Sequence, residues 1–175
     1  RGFKQTHQPS PWVRDYGQFA VMPTTGEPVF DESMRKSNFT HEEEVAKPCY
    51  YGVYLEDYDV LAEITATERA AQIRATYPAS NQSNIVVDCY DGGSYVEVDA
   101  LHNRVIGYSR RNSGGVPDNF RNFFVMTFSK PMKEFVVYNN GTMNHTRQAE
   151  GVHVGAVLTF ETAEDEAITV NVASR

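Results

Sequence analysis

Val152-His153-Val154-Gly155-Ala156-Val157-Leu158-Thr159-Phe160 places apolar side chains at every second position. In an extended chain successive side chains point to opposite sides. Val152, Val154, Ala156, Leu158 and Phe160 therefore share one face, and the stretch reads as a half-buried strand. The same alternation recurs over residues 60–67, where Val60, Ala62, Ile64 and Ala66 oppose Glu63, Thr65 and Thr67. Residues 19–22, 50–55, 84–89, 94–99, 104–108, 123–128, 135–138 and 168–172 also read as strands. Residues 69–77 read as a strand or a short helix, closed by Pro78.

Composition agrees with this pattern. The 175 residues include 20 Val, 5 Ile and 13 Thr against 4 Leu. Branching at Cβ stiffens a side chain and suits a pleated surface, whereas Leu is a good helix former. Besides the alternative at residues 69–77, helix is expected only as a short turn over residues 42–46 ended by Pro48. Asp91-Gly92-Gly93 supplies the positive φ angles of a tight turn, so residues 84–89 and 94–99 are expected to form a hairpin. About ten strands with short connections and no interleaved helices point to an all-β, antiparallel domain, a β-sandwich in preference to a closed barrel, with residues 1–175 as one domain.

Charge and cysteines exclude several functions. The net charge is −7 and the pI about 5.2. A nucleic-acid domain needs a basic face, and here the basic cluster is Arg110-Arg111, beside a glycine-rich loop. No apolar run approaches the roughly 18 residues of a transmembrane helix. Cys49 and Cys89 form no C-x-x-C pair, and Cys89, in an apolar run, reads as a buried small hydrophobe. His41-Glu42 opens an H-E-x-x-H string, but Val45 occupies the second histidine's place, so the zinc motif fails. The acidic group Glu56-Asp57-Tyr58-Asp59 reads as a solvated turn. Four N-x-S/T sequons, at Asn38, Asn81, Asn140 and Asn144, are what an Asn- and Thr-rich chain produces by chance. The chain has no initiator Met and stops at Arg175 just after a strand pattern, as a piece of a longer protein would.

One polar segment gathers chemistry: Thr6-His7-Gln8-Pro9-Ser10-Pro11-Trp12-Val13-Arg14-Asp15-Tyr16-Gly17. It holds the chain's one Trp beside an imidazole, an amide and a carboxylate, stiffened by two prolines. A pyranose stacks its apolar face on an aromatic ring and offers hydroxyls to directional polar groups. Trp12, with His7, Gln8 and Asp15, is thus a candidate sugar site. A tryptophan plugging the end of a sandwich, with Asp15 capping a turn, accounts for the same residues equally well.

The same segment carries a resemblance. Gly2-Phe3, Thr6-His7-Gln8, Trp12 and Asp15-Tyr16-Gly17 through Met22-Pro23 resemble the start of glycoside hydrolase family 92, the α-1,2-mannosidases. Phe39-Thr40-His41-Glu42-Glu43-Glu44, Ala46, Pro48 and Tyr50-Tyr51 resemble a second family block. Ile64-Thr65-Ala66-Thr67-Glu68-Arg69 with Arg74-Ala75-Thr76-Tyr77-Pro78 resembles a third, and Phe128-Ser129-Lys130-Pro131 a fourth. The blocks follow in order over nearly the whole chain. Three positions depart from the pattern: Cys49 for Gly, Ile73 for His and Glu43 for Asn.

The resemblance implies a two-domain bacterial enzyme, periplasmic, secreted or on the cell surface. This chain would be its N-terminal sandwich, and an all-α C-terminal domain of the same chain would carry the catalytic acid and base. The implied reaction is calcium-dependent, inverting hydrolysis of mannose-containing glycans, with calcium on the helical domain and with sandwich loops at the rim of the sugar pocket. The rival readings are a stand-alone carbohydrate-binding or adhesive sandwich without catalysis, and a structural spacer.

Overall fold

The computed structural model describes residues 2–4, 19–90, 92–112 and 116–175. Strands take 58% of these, and no α-helix occurs among them. One sheet runs in the order β1 (Phe3–Lys4), β2 (Ala20–Thr25), β7 (Ser80–Asp88), β14 (Val154–Thr162), β11 (Glu134–Asn139) and β12 (Thr142–Asn144). The other runs β13 (Gln148–Gly151), β8 (Ser94–Asp99), β9 (Arg104–Ser109), β10 (Asn122–Phe128), β15 (Glu166–Ser174), β6 (Ala70–Tyr77), β5 (Val60–Ala66), β4 (Tyr50–Leu55) and β3 (Val45–Lys47). Adjacent strands are antiparallel throughout, for example Val125↔Ala173 between β10 and β15 and Ala156↔Val87 between β14 and β7.

The inner faces interlock as alternation dictates. Val96 and Val98 of β8, Phe124 and Met126 of β10, and Ile168 and Val170 of β15 are buried against Ile85, Ala156, Leu158 and Phe160 of the smaller sheet. Phe128 meets Phe160 across the sandwich at a centroid distance of 5.8 Å. Each fully buried side chain of this size contributes about 1.5–3 kcal/mol.

The strand over 152–160 is not half-buried. Val154, Ala156, Leu158 and Phe160 face the core as expected, but Gly155, Val157 and Thr159 on the opposite side are buried too, while Val152 lies outside the strand and is 61% exposed. On that outer side Phe30 and Arg35 of the segment 26–37 lie against Gly155 and Asp88. Phe30 stacks on Tyr138 at 4.6 Å, so close to Gly155 that a Cβ there would come within 2.3 Å of its ring. Glycine is required by this approach of the ring to the backbone.

The expected hairpin at residues 90–93 does not form either. β7 pairs with β2 and β14 in the smaller sheet, and β8 pairs with β9 and β13 in the larger. Tyr90, Gly92 and Gly93 do adopt positive φ, at 49°, 104° and 94°. They carry the chain from one sheet to the other. Ser83–Asp88 is buried at every position, so β7 lies inside a layer covered on both faces, whereas β8 alternates between buried and half-buried positions, as a strand with one face on the core does. The turn expected over 42–46 is instead a 3₁₀ turn at His41–Glu43, and Val45 and Ala46 join β3. The stretch read as strand or helix over 69–77 is strand β6, Ala70–Tyr77. The described strands number fifteen rather than about ten, because β1, β3, β12 and β13 have only two to four residues each.

Candidate functional site

His7, Gln8, Trp12 and Asp15 lie outside the described residues. The two ends of that segment are described. Lys4 and Phe19 flank it, and Lys4 pairs with Ala20 where β1 meets β2. Both ends line a cleft of about 700 Å³ between the edge of the smaller sheet and strands β5, β6 and β15 of the larger. Its floor is apolar, with Phe3, Phe19, Ile64 and Val172. Its polar lining includes Arg69, Glu68 and Asn122. The Asn122 side chain is buried, and its Nδ2 finds no hydrogen-bond partner among the described residues, a cost that a polar occupant would relieve.

The rim beside Phe3 is ordered by a chain of side chains. The Tyr51 ring meets Phe3 edge-on at 6.3 Å. Its hydroxyl donates to Glu44 Oε1 at 2.6 Å, and Glu44 Oε2 lies 2.6 Å from His41 Nδ1. The hydrogen bonds from Tyr51 and His41 hold the Glu44 carboxyl below its ordinary value. Burial, then the bond to Glu44, pushes the Tyr51 hydroxyl up to about 12. The pair stays a carboxylate and a neutral phenol across the physiological range.

A second constellation holds the cover of the smaller sheet. Arg35, fully buried, reaches Asp88 Oδ2 with Nη2 at 2.5 Å and donates through Nη1 to the Phe30 carbonyl. Asp88 Oδ1 takes His153 Nε2 at 2.7 Å and the Tyr90 amide at 2.9 Å. Burial pushes the Asp88 carboxyl up, but His153, Arg35 and the Tyr90 amide outweigh it and hold it below its ordinary value. Sequence reading missed both constellations. The available signal was Asp88 itself, a carboxylate inside the apolar run Ile85-Val86-Val87-Asp88-Cys89, which needs a buried partner.

The other sequence features fall out as structure. Arg110 pairs with Glu150 at 3.1 Å and lies over the Tyr108 ring, so the basic cluster is part of a mixed-charge face. Residues 56–59 form the turn between β4 and β5, where Tyr58 N donates to the Leu55 carbonyl and Asp57 accepts from the Asn38 amide. Cys49 is exposed and Cys89 buried, both as free thiols, and burial pushes the Cys89 thiol well up. Among the described residues no three His, Cys, Asp or Glu side chains cluster to hold a metal ion. No described helix is long and apolar enough to cross a membrane.

Fold and cleft together define a large antiparallel sandwich domain with a polar-rimmed cleft at one end. Residues 1–174 match the N-terminal domain of glycosyl hydrolase family 92, and the chain belongs to that family. It is similar to a family 92 inverting mannosidase of Bacteroides thetaiotaomicron VPI-5482, with 39% identity and a TM-score of 0.92 over 99% of this chain and 24% of that one. It is also similar to a family 92 α-mannosidase of Bacteroides thetaiotaomicron solved in complex with mannoimidazole, with 27% identity and a TM-score of 0.86 over 99% of this chain and 25% of that one. The chain thus spans about a quarter of the length of these solved structures. No curated protein matches it.

Proposed function

We propose that this chain is the N-terminal sandwich of a calcium-dependent, inverting exo-α-mannosidase that removes α-linked mannose from glycans. The observation that carries this reading is its likeness, at 39% identity and over 99% of its length, to an inverting mannosidase of the same family. The enzyme would be bacterial and act in the periplasm, at the cell surface or outside the cell. The catalytic acid and base would lie on an all-α C-terminal domain of the same polypeptide. Calcium would sit there as well, supplying electrostatic hold on sugar hydroxyls. Among the described residues no three His, Cys, Asp or Glu side chains come together to hold the ion.

The sandwich's part would be to shape the rim of the sugar pocket. Trp12 would form an aromatic wall, supported by His7, Gln8 and Asp15. The cleft between Lys4 and Phe19, where this segment leaves and re-enters the sheet, is the supporting geometry. A wall at the leaving sugar acts by positioning. Trp12→Ala in the full-length enzyme is therefore expected to lower kcat/KM for an α-mannobiose by about 10–100-fold, and to lower it less for a small aryl α-mannoside. The domain should lose less than the roughly 3–5 kcal/mol of a buried Trp. Unfolding of the domain, or unchanged turnover of the disaccharide, would make Trp12 a core plug.

A further inference from the structure

Residues 39–44 make a projecting turn that the fold itself does not need. The 3₁₀ turn His41–Glu43 buries no residue, and Thr40 at its start makes no side-chain cap. Phe39 is 45% exposed, and the His41 side chain 86%. An exposed polar contact such as His41–Glu44 adds little to stability. Yet the imidazole is aimed: Glu44 holds Nδ1 at 2.6 Å while its other oxygen is fixed by the Tyr51 hydroxyl. With Nδ1 so held, Nε2 is the ring nitrogen left to face outward.

The Phe39 ring stands perpendicular to the imidazole, at 89° and a centroid distance of 5.5 Å. An exposed apolar ring beside a fixed imidazole edge matches the two sides of a pyranose, whose C–H face packs on the aromatic and whose hydroxyl meets the nitrogen. The pair is tied to the cleft. Tyr51 packs on Phe3 and faces Ile64 across β4 and β5, and Phe3 and Ile64 both line the cleft.

We infer that Phe39 and His41 form a further sugar subsite, which takes a pyranose ring on the leaving-group side of the glycan, with Glu44 and Tyr51 as positioning residues. This rests on the mannosidase reading. An exo-acting pocket encloses the terminal mannose, so the sugars that follow lie outward over exposed rim groups of this kind.

The test uses the full-length enzyme and compares an α-mannotriose with an aryl α-mannoside. Phe39→Ala and His41→Gln should each shift the ratio of kcat/KM values against the trisaccharide by about 3–10-fold, the effect of one lost contact to a neutral group. The loss should appear in KM rather than kcat. Glu44→Gln should act in the same direction and less strongly, because it loosens the imidazole without removing it. An unchanged ratio with Phe39→Ala and His41→Gln in an enzyme that hydrolyses both substrates overturns the subsite. Unchanged kinetics with a melting temperature lowered by several degrees also overturn it, since the turn would then be a docking face for the rest of the polypeptide. A wild-type enzyme that hydrolyses neither substrate would instead overturn the mannosidase reading beneath it.

Discussion

Asp88→Asn is the sharpest perturbation of the frame that carries the cleft. Asp88 is 1% exposed and Arg35 is fully buried, so the pair sits in a medium that screens little. The amide keeps the shape of the carboxylate but removes its charge, and it sets an N–H₂ against either the Arg35 guanidinium or the His153 ring. Breaking a buried pair in this way costs about 3–5 kcal/mol. For a chain of this size each kcal/mol lowers the melting temperature by about 2–4 °C, so a drop of roughly 6–20 °C is expected. Thermal unfolding followed by far-ultraviolet dichroism measures it. The pH dependence has a definite sign. The folded Asp88 pKa is depressed, so its contribution is complete above the unfolded value of about 3.9 and is lost as pH falls through the folded value. Wild type should therefore lose stability on acidification faster than Asp88→Asn, and the two should converge at low pH. A drop under about 4 °C, the scale of an exposed pair, together with parallel pH profiles, would refute the reasoning.

Two further outcomes concern the cysteines. In the native chain a thiol reagent should modify Cys49 alone, because Cys89 is buried with its thiol pKa pushed up; denaturant should expose the second thiol, and two fast-reacting native thiols would contradict the buried placement. Cys49 has a φ of 62° in the two-residue turn joining Lys47 to Tyr50, a conformation that costs a side-chain-bearing residue roughly 1–2 kcal/mol. Glycine returns part of this as extra unfolded-chain entropy, so Cys49→Gly should stabilise the chain by up to about 1 kcal/mol, read as a higher denaturation midpoint; a lower midpoint would show that the thiol makes a compensating contact.

Strands were legible because alternation and Cβ branching act locally. Residues 50–55 fall where the pattern put them, and residues 60–67 miss by one. Strand partnership was not legible, because it is decided by what covers each face. Gly92 and Gly93 announce a turn whether it closes a hairpin or crosses between sheets, and the outer side of β14 at Gly155 looks solvent-facing until Phe30 is laid over it. Arg35 sits in a polar, charged stretch whose local pattern carries no sign of its burial, although Asp88 in an apolar run called for such a partner. The family blocks pointed to Phe39–Tyr51 as a unit, and the geometry supplies its physical content in the His41–Glu44–Tyr51 relay. The Gly that the family pattern has at position 49 also gains a reason, since the position has the left-handed backbone that glycine favours and Cys49 adopts it at a cost.

Proton NMR of the mannose first released from an aryl α-mannoside, with the full-length enzyme and with residues 1–175 alone in parallel, tests the mannosidase reading most directly. Inverting hydrolysis needs two carboxyl groups flanking the bond, and the reading places both outside this chain. The full-length enzyme should release β-mannose first, in a calcium-dependent reaction, and the sandwich alone should release none. Release of α-mannose first, hydrolysis by residues 1–175 alone, or no hydrolysis by the full-length enzyme with calcium present would contradict it.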